Sequence, residues 1–260
     1  MSARSVCLIA RSVLIEAVRR KEIYIVVFVA LAIIAVILSL DFFQMERLQK
    51  FYREMALKIM SFATALTVIV LAARQLPREF DKRTIYPLMA RPISRLAFLA
   101  GKLLGVILAA LFCFALFMLV FIAGTLYLGG TVPWLHFLQY VYLQMIMLMV
   151  MATLCFWLSM VVNLDAAITL GVILFIMGNT MVSMVNTLYP VTTVVGQQLL
   201  KGFVFLVPQV SLFDLSEKAV HADKWGALNA VTIGKLTAYG LTFSAVYFCL
   251  AMLSFRRRAL

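Results

Sequence analysis

Apolar residues fall along the chain in six long runs, and nearly all of the charge lies in the stretches between them. To within a few residues the runs are 23–40, 56–73, 103–128, 138–162, 167–188 and 236–255. Each holds about 18 residues or more, roughly what a helix rising 1.5 Å per residue needs to cross a hydrocarbon layer of about 30 Å. Inside lipid such a segment must be helical, because only then does every backbone N–H and C=O find a partner within it. A β-barrel would show stretches of about ten residues alternating apolar and polar, and no segment here does. The pattern predicts an all-α polytopic membrane protein with six transmembrane helices over 23–255 and a cytoplasmic tail, 256–260.

Three flanking segments add to this outline. Ahead of the first run, Val6, Ile9, Ala10, Val13, Leu14, Ala17 and Val18 recur at helical spacing, with Arg4, Arg11, Glu16, Arg19 and Arg20 among the polar remainder. Residues 1–22 are therefore predicted as a cationic amphipathic helix on the inner leaflet. A short solvated extension is the competing reading. Residues 44–58 continue a helical pattern through Met45, Leu48, Tyr52 and Met55, with Glu46/Lys50 and Glu54/Lys58 at i,i+4, so the second span is expected to extend beyond the bilayer. In the long connection 187–235, the apolar stretch Leu199–Leu212 is broken at Gly202 and Pro208 and is too short to cross. It reads as a re-entrant segment or as an apolar lid on the outer surface.

Composition narrows the class. Apolar residues make up 65% of the chain and charged ones 13%, with mean hydropathy +1.04; ordinary soluble domains run at roughly 45–50% and about 25%. That excludes a soluble domain and a disordered chain, and the net charge of +12 is spread too thinly for a nucleic-acid surface. The charge instead reports orientation. With the N-terminus inside, 15 Lys and Arg fall on the cytoplasmic side and 8 outside, which places both termini in the cytoplasm of a cell-membrane protein. The first run is too long for a signal-peptide core and lacks a small-residue cleavage site, so it is expected to remain in the mature protein.

The spans themselves carry little chemistry. Ion-coupled carriers place ionisable residues within their spans, whereas here these groups sit at span ends or in loops. Asp165, between the fourth and fifth runs, reads as the N-cap of the fifth helix. No GxxxxGK[ST] loop and no HExxH occurs, His136 and His221 lie in separate outer loops, and Cys7, Cys113, Cys155 and Cys249 lack metal-ligand spacing, so no catalytic or metal site is expected. Mild polarity remains in two stripes at helical spacing: Asn179, Ser183 and Asn186 on the fifth span, and Ser61, Thr64 and Thr67 on the second. Such stripes either line a cavity or bind helices together.

The richest segment is 74–102, RQLPREFDKRTIYPLMARPISRLAFLAGK, with seven cations, two carboxylates and three prolines around the apolar patch Ile85, Tyr86, Leu88 and Met89. Pro87 and Pro92 limit helix length there. An apolar centre within a charged rim is the anatomy of a protein-docking element; a basic loop held by anionic lipid is the alternative. The run Glu79–Phe80–Asp81–Lys82–Arg83–Thr84–Ile85, then Leu88, Ala90–Arg91–Pro92–Ile93–Ser94–Arg95 and Gly101–Lys102 resembles the first cytoplasmic loop of type 2 ABC transporter permeases. Pro208–Gln209–Val210–Ser211–Leu212–Phe213–Asp214 is similar to that family's outer turn.

The resemblance implies an amphipathic elbow helix, six spans and a re-entrant outer segment in the permease subunit of an exporter. Its partners would be a second permease, identical or not, and two copies of a cytoplasmic ATPase. This chain would bind no cofactor itself, ATP and Mg being held by the partner ATPase. Carried over by position, Thr84, Ile85, Leu88 and Met89 would fill a groove of the ATPase, with Glu79, Arg83, Arg91 and Arg95 at its rim. Pro208, Phe213 and Asp214 would form an outer gate, and Ser61, Thr64, Asn179, Ser183 and Asn186 would border the path of an amphipathic or lipid-like substrate. Two other classes compete with the transport reading: a membrane scaffold that docks an ATPase without transporting, and an ion-coupled carrier or intramembrane enzyme.

Overall fold

The computed structural model describes residues 3–19, 21–38, 45–81, 94–221 and 225–257, and among them there is no strand. The helices are α1 (Ala3–Val18), α2 (Lys21–Leu38), α3 (Met45–Asp81), α4 (Arg95–Tyr127), α5 (Trp134–Val161), α6 (Leu164–Leu188), α7 (Val194–Leu206), α8 (Ser216–Val220) and α9 (Ala230–Arg257), with a 3₁₀ turn at Val210–Phe213. Five of them, α3, α4, α5, α6 and α9, are long and apolar enough to cross a membrane. They coincide with five of the six predicted runs. The remaining run, 23–40, falls on α2, whose apolar part among the described residues, Val27–Val36, is shorter than a crossing.

Helix ends depart from the apolar runs for local reasons. α3 covers 37 residues and continues through Pro77, so the connection predicted over 74–102 is helical at both of its ends. The proline removes one backbone bond from that turn, but Leu76 and Phe80 on either side of it are held in an apolar cluster that keeps the helix going. α4 starts where Ser94 Oγ accepts a hydrogen bond from the Ala97 amide at 3.2 Å, closing one of the orphan N–H groups of the first turn. At α6 the N-cap is Asn163, with extended backbone, and Asp165 lies inside the first turn. The expected capping role of Asp165 is thus corrected to that of an acid near the helix N-terminus, where the dipole favours it. Gly202 does not interrupt α7; the break comes only at Pro208.

The layout is a hub with a periphery. α3 and α5 pack on each other, and each has 67% of its candidate span buried, against 39% for α4, 28% for α9 and 22% for α6. α9 lies along α5, while α6 leans on α3 and α5. α1 runs along α4 with Ala10, Val13 and Ala17 almost fully buried, so the apolar face predicted for a lipid surface is largely occupied by α4. Gly105 permits that approach, since a Cβ there would stand 2.8 Å from the Ala10 carbonyl oxygen.

Each end of the bundle is tied by its own contacts. At one, Leu76 of α3, Phe98 and Leu99 of α4, Phe156 and Met160 of α5, and Ala251 and Phe255 of α9 form a separate apolar cluster, with Ile9 of α1 against it. This is the end for which the sequence counts the excess of Lys and Arg. At the other, Gln49 of α3 donates to the Leu128 carbonyl. There too the Gln139 side chain makes two hydrogen bonds with the Leu228 backbone, at 3.1 and 3.0 Å, fastening the 225–229 segment to α5.

Candidate functional site

The two ends of the α3–α4 connection are locked together. Lys102 Nζ contacts Glu79 Oε1 at 2.5 Å, with only 7% and 18% of the two side chains exposed. The ammonium also stands 5.9 Å from the Phe98 ring centroid. Below the pair, the Phe255 ring lies 6.2 Å from both Phe80 and Phe98, so the last helix braces the same point. Desolvating two charges is expensive, and a pair this buried persists because each ion compensates the other; removing one partner of such a pair typically costs on the order of 3–5 kcal/mol. The effect is to tie the end of α3 to the start of α4.

Of the residues predicted to dock an ATPase, Arg83, Thr84, Ile85, Leu88, Met89 and Arg91 lie outside the described residues. Glu79 has its carboxylate engaged with Lys102, and Arg95 is exposed in the first turn of α4. Lys102, named from the sequence only as part of a family motif, is the second member of this clamp. A lysine placed seven residues into an apolar helix, opposite a glutamate near the end of the preceding one, was the available signal.

The outer turn is sunk into the bundle. Val210 and Phe213 are buried, Pro208 lies against α6 and Phe213 against α9. A Cβ at Gly178 would come within 2.8 Å of Pro208 O and Val210 Cγ2, and one at Gly240 within 3.2 Å of Phe213 Cζ. These two glycines, with Ile146 beside Gly240, lie ten to twelve residues from the nearer ends of their helices, about 15–18 Å along each. The Gln209 amide donates to Tyr239 Oη at 3.0 Å. Asp214 Oδ1 accepts from the Ser216 amide at 2.9 Å, which starts α8. Farther in lies a cavity of about 460 Å³, bounded by Leu154, Trp157, Leu174, Pro208, Phe243 and Tyr247.

The two polar stripes meet different surroundings. Ser61 and Thr64 are buried: Ser61 Oγ accepts from Gln144 Nε2 at 2.9 Å, and the Thr64 hydroxyl donates to the Met60 carbonyl at 2.7 Å. Gln144, fully buried in the middle of α5, was not singled out from the sequence although it interrupts an apolar run. Asn179, Ser183 and Asn186 are all exposed on α6, and their side chains make no hydrogen bond among the described residues.

A bundle of long apolar helices with a clamped, cation-rich connection at one end defines a multi-pass membrane protein. The chain belongs to the ABC-2 family of transporter proteins, which it matches over residues 9–260. Permeases of this family typically work with an ATPase subunit. Comparison with curated proteins gives no match.

Proposed function

We propose that this chain is the permease subunit of an ATP-driven exporter in the cell membrane, working as one of a pair with two copies of a cytoplasmic ATPase. The family match over residues 9–260 carries the reading. α2 supplies the first of six crossings, α1 is the elbow, and the 207–213 turn is a re-entrant segment. The cluster of Leu76, Phe98 and Phe255 marks the cytoplasmic end, together with both termini. Residues 82–93 present Ile85 and Leu88 to the ATPase, and the Glu79–Lys102 clamp supports a mechanism in which motion of that patch moves α3 and α4 as one body. ATP and Mg stay on the partner.

The substrate path lies between the two permeases along the α6 stripe, with the 208–214 turn as its outer gate. Exposed amides cannot face lipid tails without loss of hydrogen bonding, so Asn179, Ser183 and Asn186 face the partner permease or a wet passage. The scarcity of charge in the spans and the apolar cavity under Pro208 favour an amphipathic or lipid-like cargo. A ligand shifts a conformational equilibrium only through unequal affinity for its states, so such a cargo contacts surfaces that move. The test is co-purification with an ABC ATPase. Ile85→Asp or Leu88→Asp should abolish capture while membrane insertion persists; an ATPase still held by both variants refutes the docking assignment.

A further inference from the structure

Between α1 and the end of α3 lies a crevice of about 530 Å³, and four of the five residues that line it are polar or charged. Ser12, Ile15 and Glu16 line it from one face of α1, Arg19 from the turn that follows, and Arg78 from α3. The two helices are bridged there by an ion pair, Arg78 Nη1 to Glu16 Oε1, at 3.8 Å, longer than a hydrogen bond, with 34% and 47% of the side chains exposed. Arg19 is exposed as well.

Depth in the bilayer follows from α4. Its 33 residues span about 50 Å, against about 30 Å of hydrocarbon, so roughly 10 Å at each end stands among lipid headgroups. α1 packs on Gly101 and Gly105, six and ten residues into α4, which puts its polar face and the crevice at the headgroup boundary. The bundle already covers Ala10, Val13 and Ala17 of α1. What the crevice offers is two guanidiniums, planar donors suited to a phosphate, and one carboxylate that competes for the second of them.

We propose that this crevice binds the phosphate of an anionic phospholipid headgroup, held between Arg19 and Arg78, and that Glu16 is its internal competitor. A bound headgroup takes Arg78 from Glu16 and loosens the bridge between α1 and α3, so lipid composition sets how firmly the N-terminal helix is tied to the helix that carries the 82–93 connection. The inference rests on the membrane-spanning reading of the bundle. It is read on the full-length chain without ATPase, so its failure leaves the docking test standing.

The probe is a fluorescent phosphatidylglycerol competing with phosphatidylcholine for the full-length protein in nanodiscs. Arg19→Gln and Arg78→Gln should each lower the preference for phosphatidylglycerol about fivefold. Glu16→Gln, which breaks the same ion pair as Arg78→Gln, should preserve or raise it. Arg256→Gln, which removes an equal charge from the same end, should leave it within about twofold. An equal loss in Arg256→Gln, or a loss in Glu16→Gln matching that in Arg78→Gln, overturns the site. Displacement of the label by millimolar inorganic phosphate would identify a soluble anion as the ligand and overturn the lipid assignment.

Discussion

α3 and α6 are both long apolar helices bearing a short stripe of hydroxyl and amide side chains, yet one stripe is sealed inside the chain and the other is open. On α3, Ser61 and Thr64 are 8% and 0% exposed and are bonded to Gln144 or to their own backbone. On α6, Asn179, Ser183 and Asn186 stand on the outer face of a helix with 22% of its span buried. Polar residues in the hub fix how α3 meets α5, while those at the periphery find no side-chain partner among the described residues. The difference separates residues that hold the subunit together from residues free to meet something else. It also separates substitutions that harm folding from those that harm only assembly or transport.

The largest expected effect is at the end of the hub that carries the Glu79–Lys102 clamp. Lys102→Ala takes from the largely buried Glu79 the cation at 2.5 Å and should lower stability by up to about 3–5 kcal/mol, read as thermal unfolding in detergent. Replacing both partners, Glu79→Gln with Lys102→Met, should recover most of that loss, because the desolvation of both ions is removed as well. Should the double variant be as unstable as Lys102→Ala, the clamp is not the source of the effect. If the double variant folds but ATP turnover no longer drives transport, the pair serves coupling as well as packing.

A smaller effect is expected in the middle of the hub. Ser61→Ala takes from Gln144 Nε2 its acceptor while Gln144 Oε1 has no donor among the described residues, so a buried side-chain amide loses the hydrogen bond that Ser61 gives it. A loss of about 0.6–2 kcal/mol follows. Gln144→Leu removes the whole unsatisfied group at similar volume and should be neutral or stabilising by the same measurement. A marked destabilisation by Gln144→Leu would mean that Oε1 has a partner in the membrane, such as water or the second subunit.

How much of this was legible depends on the range of the signal. Five long helices follow from apolar run length, a property of about twenty consecutive residues, and the sequence shows it directly. Asp165 was misassigned because capping is decided by the backbone of a single residue, and Asn163, two places earlier, was equally eligible by type. The Glu79–Lys102 pair and the Ser61–Gln144 bond join residues 23 and 83 apart, so neither is visible in a local pattern. Helical spacing on both α3 and α6 could not say which stripe faces inward, because amphipathicity in a membrane helix reports a polar face and not its neighbour. Burial depends on the order in which helices surround one another. The same holds for Gly178 and Gly240, whose missing side chains make room for a turn some thirty residues away in sequence.

The smallest effect on stability, and the sharpest test of the contrast, belongs to α6. Asn179→Leu and Asn186→Leu, singly or together, remove no hydrogen bond among the described residues and should shift unfolding by less than about 0.5 kcal/mol. In membranes the same substitutions should alter pairing of two copies or the passage of cargo, measured as cross-linking between α6 helices and as substrate-stimulated ATP turnover of the assembled complex. A double variant that unfolds as early as Ser61→Ala would show that the α6 stripe is internal after all, and the hub would then have to include α6. A variant that is stable, paired and fully active would leave the stripe with no role on the exposed face of α6. Between those outcomes lies the one the exposure of α6 predicts: an intact subunit whose defect appears only once it is assembled.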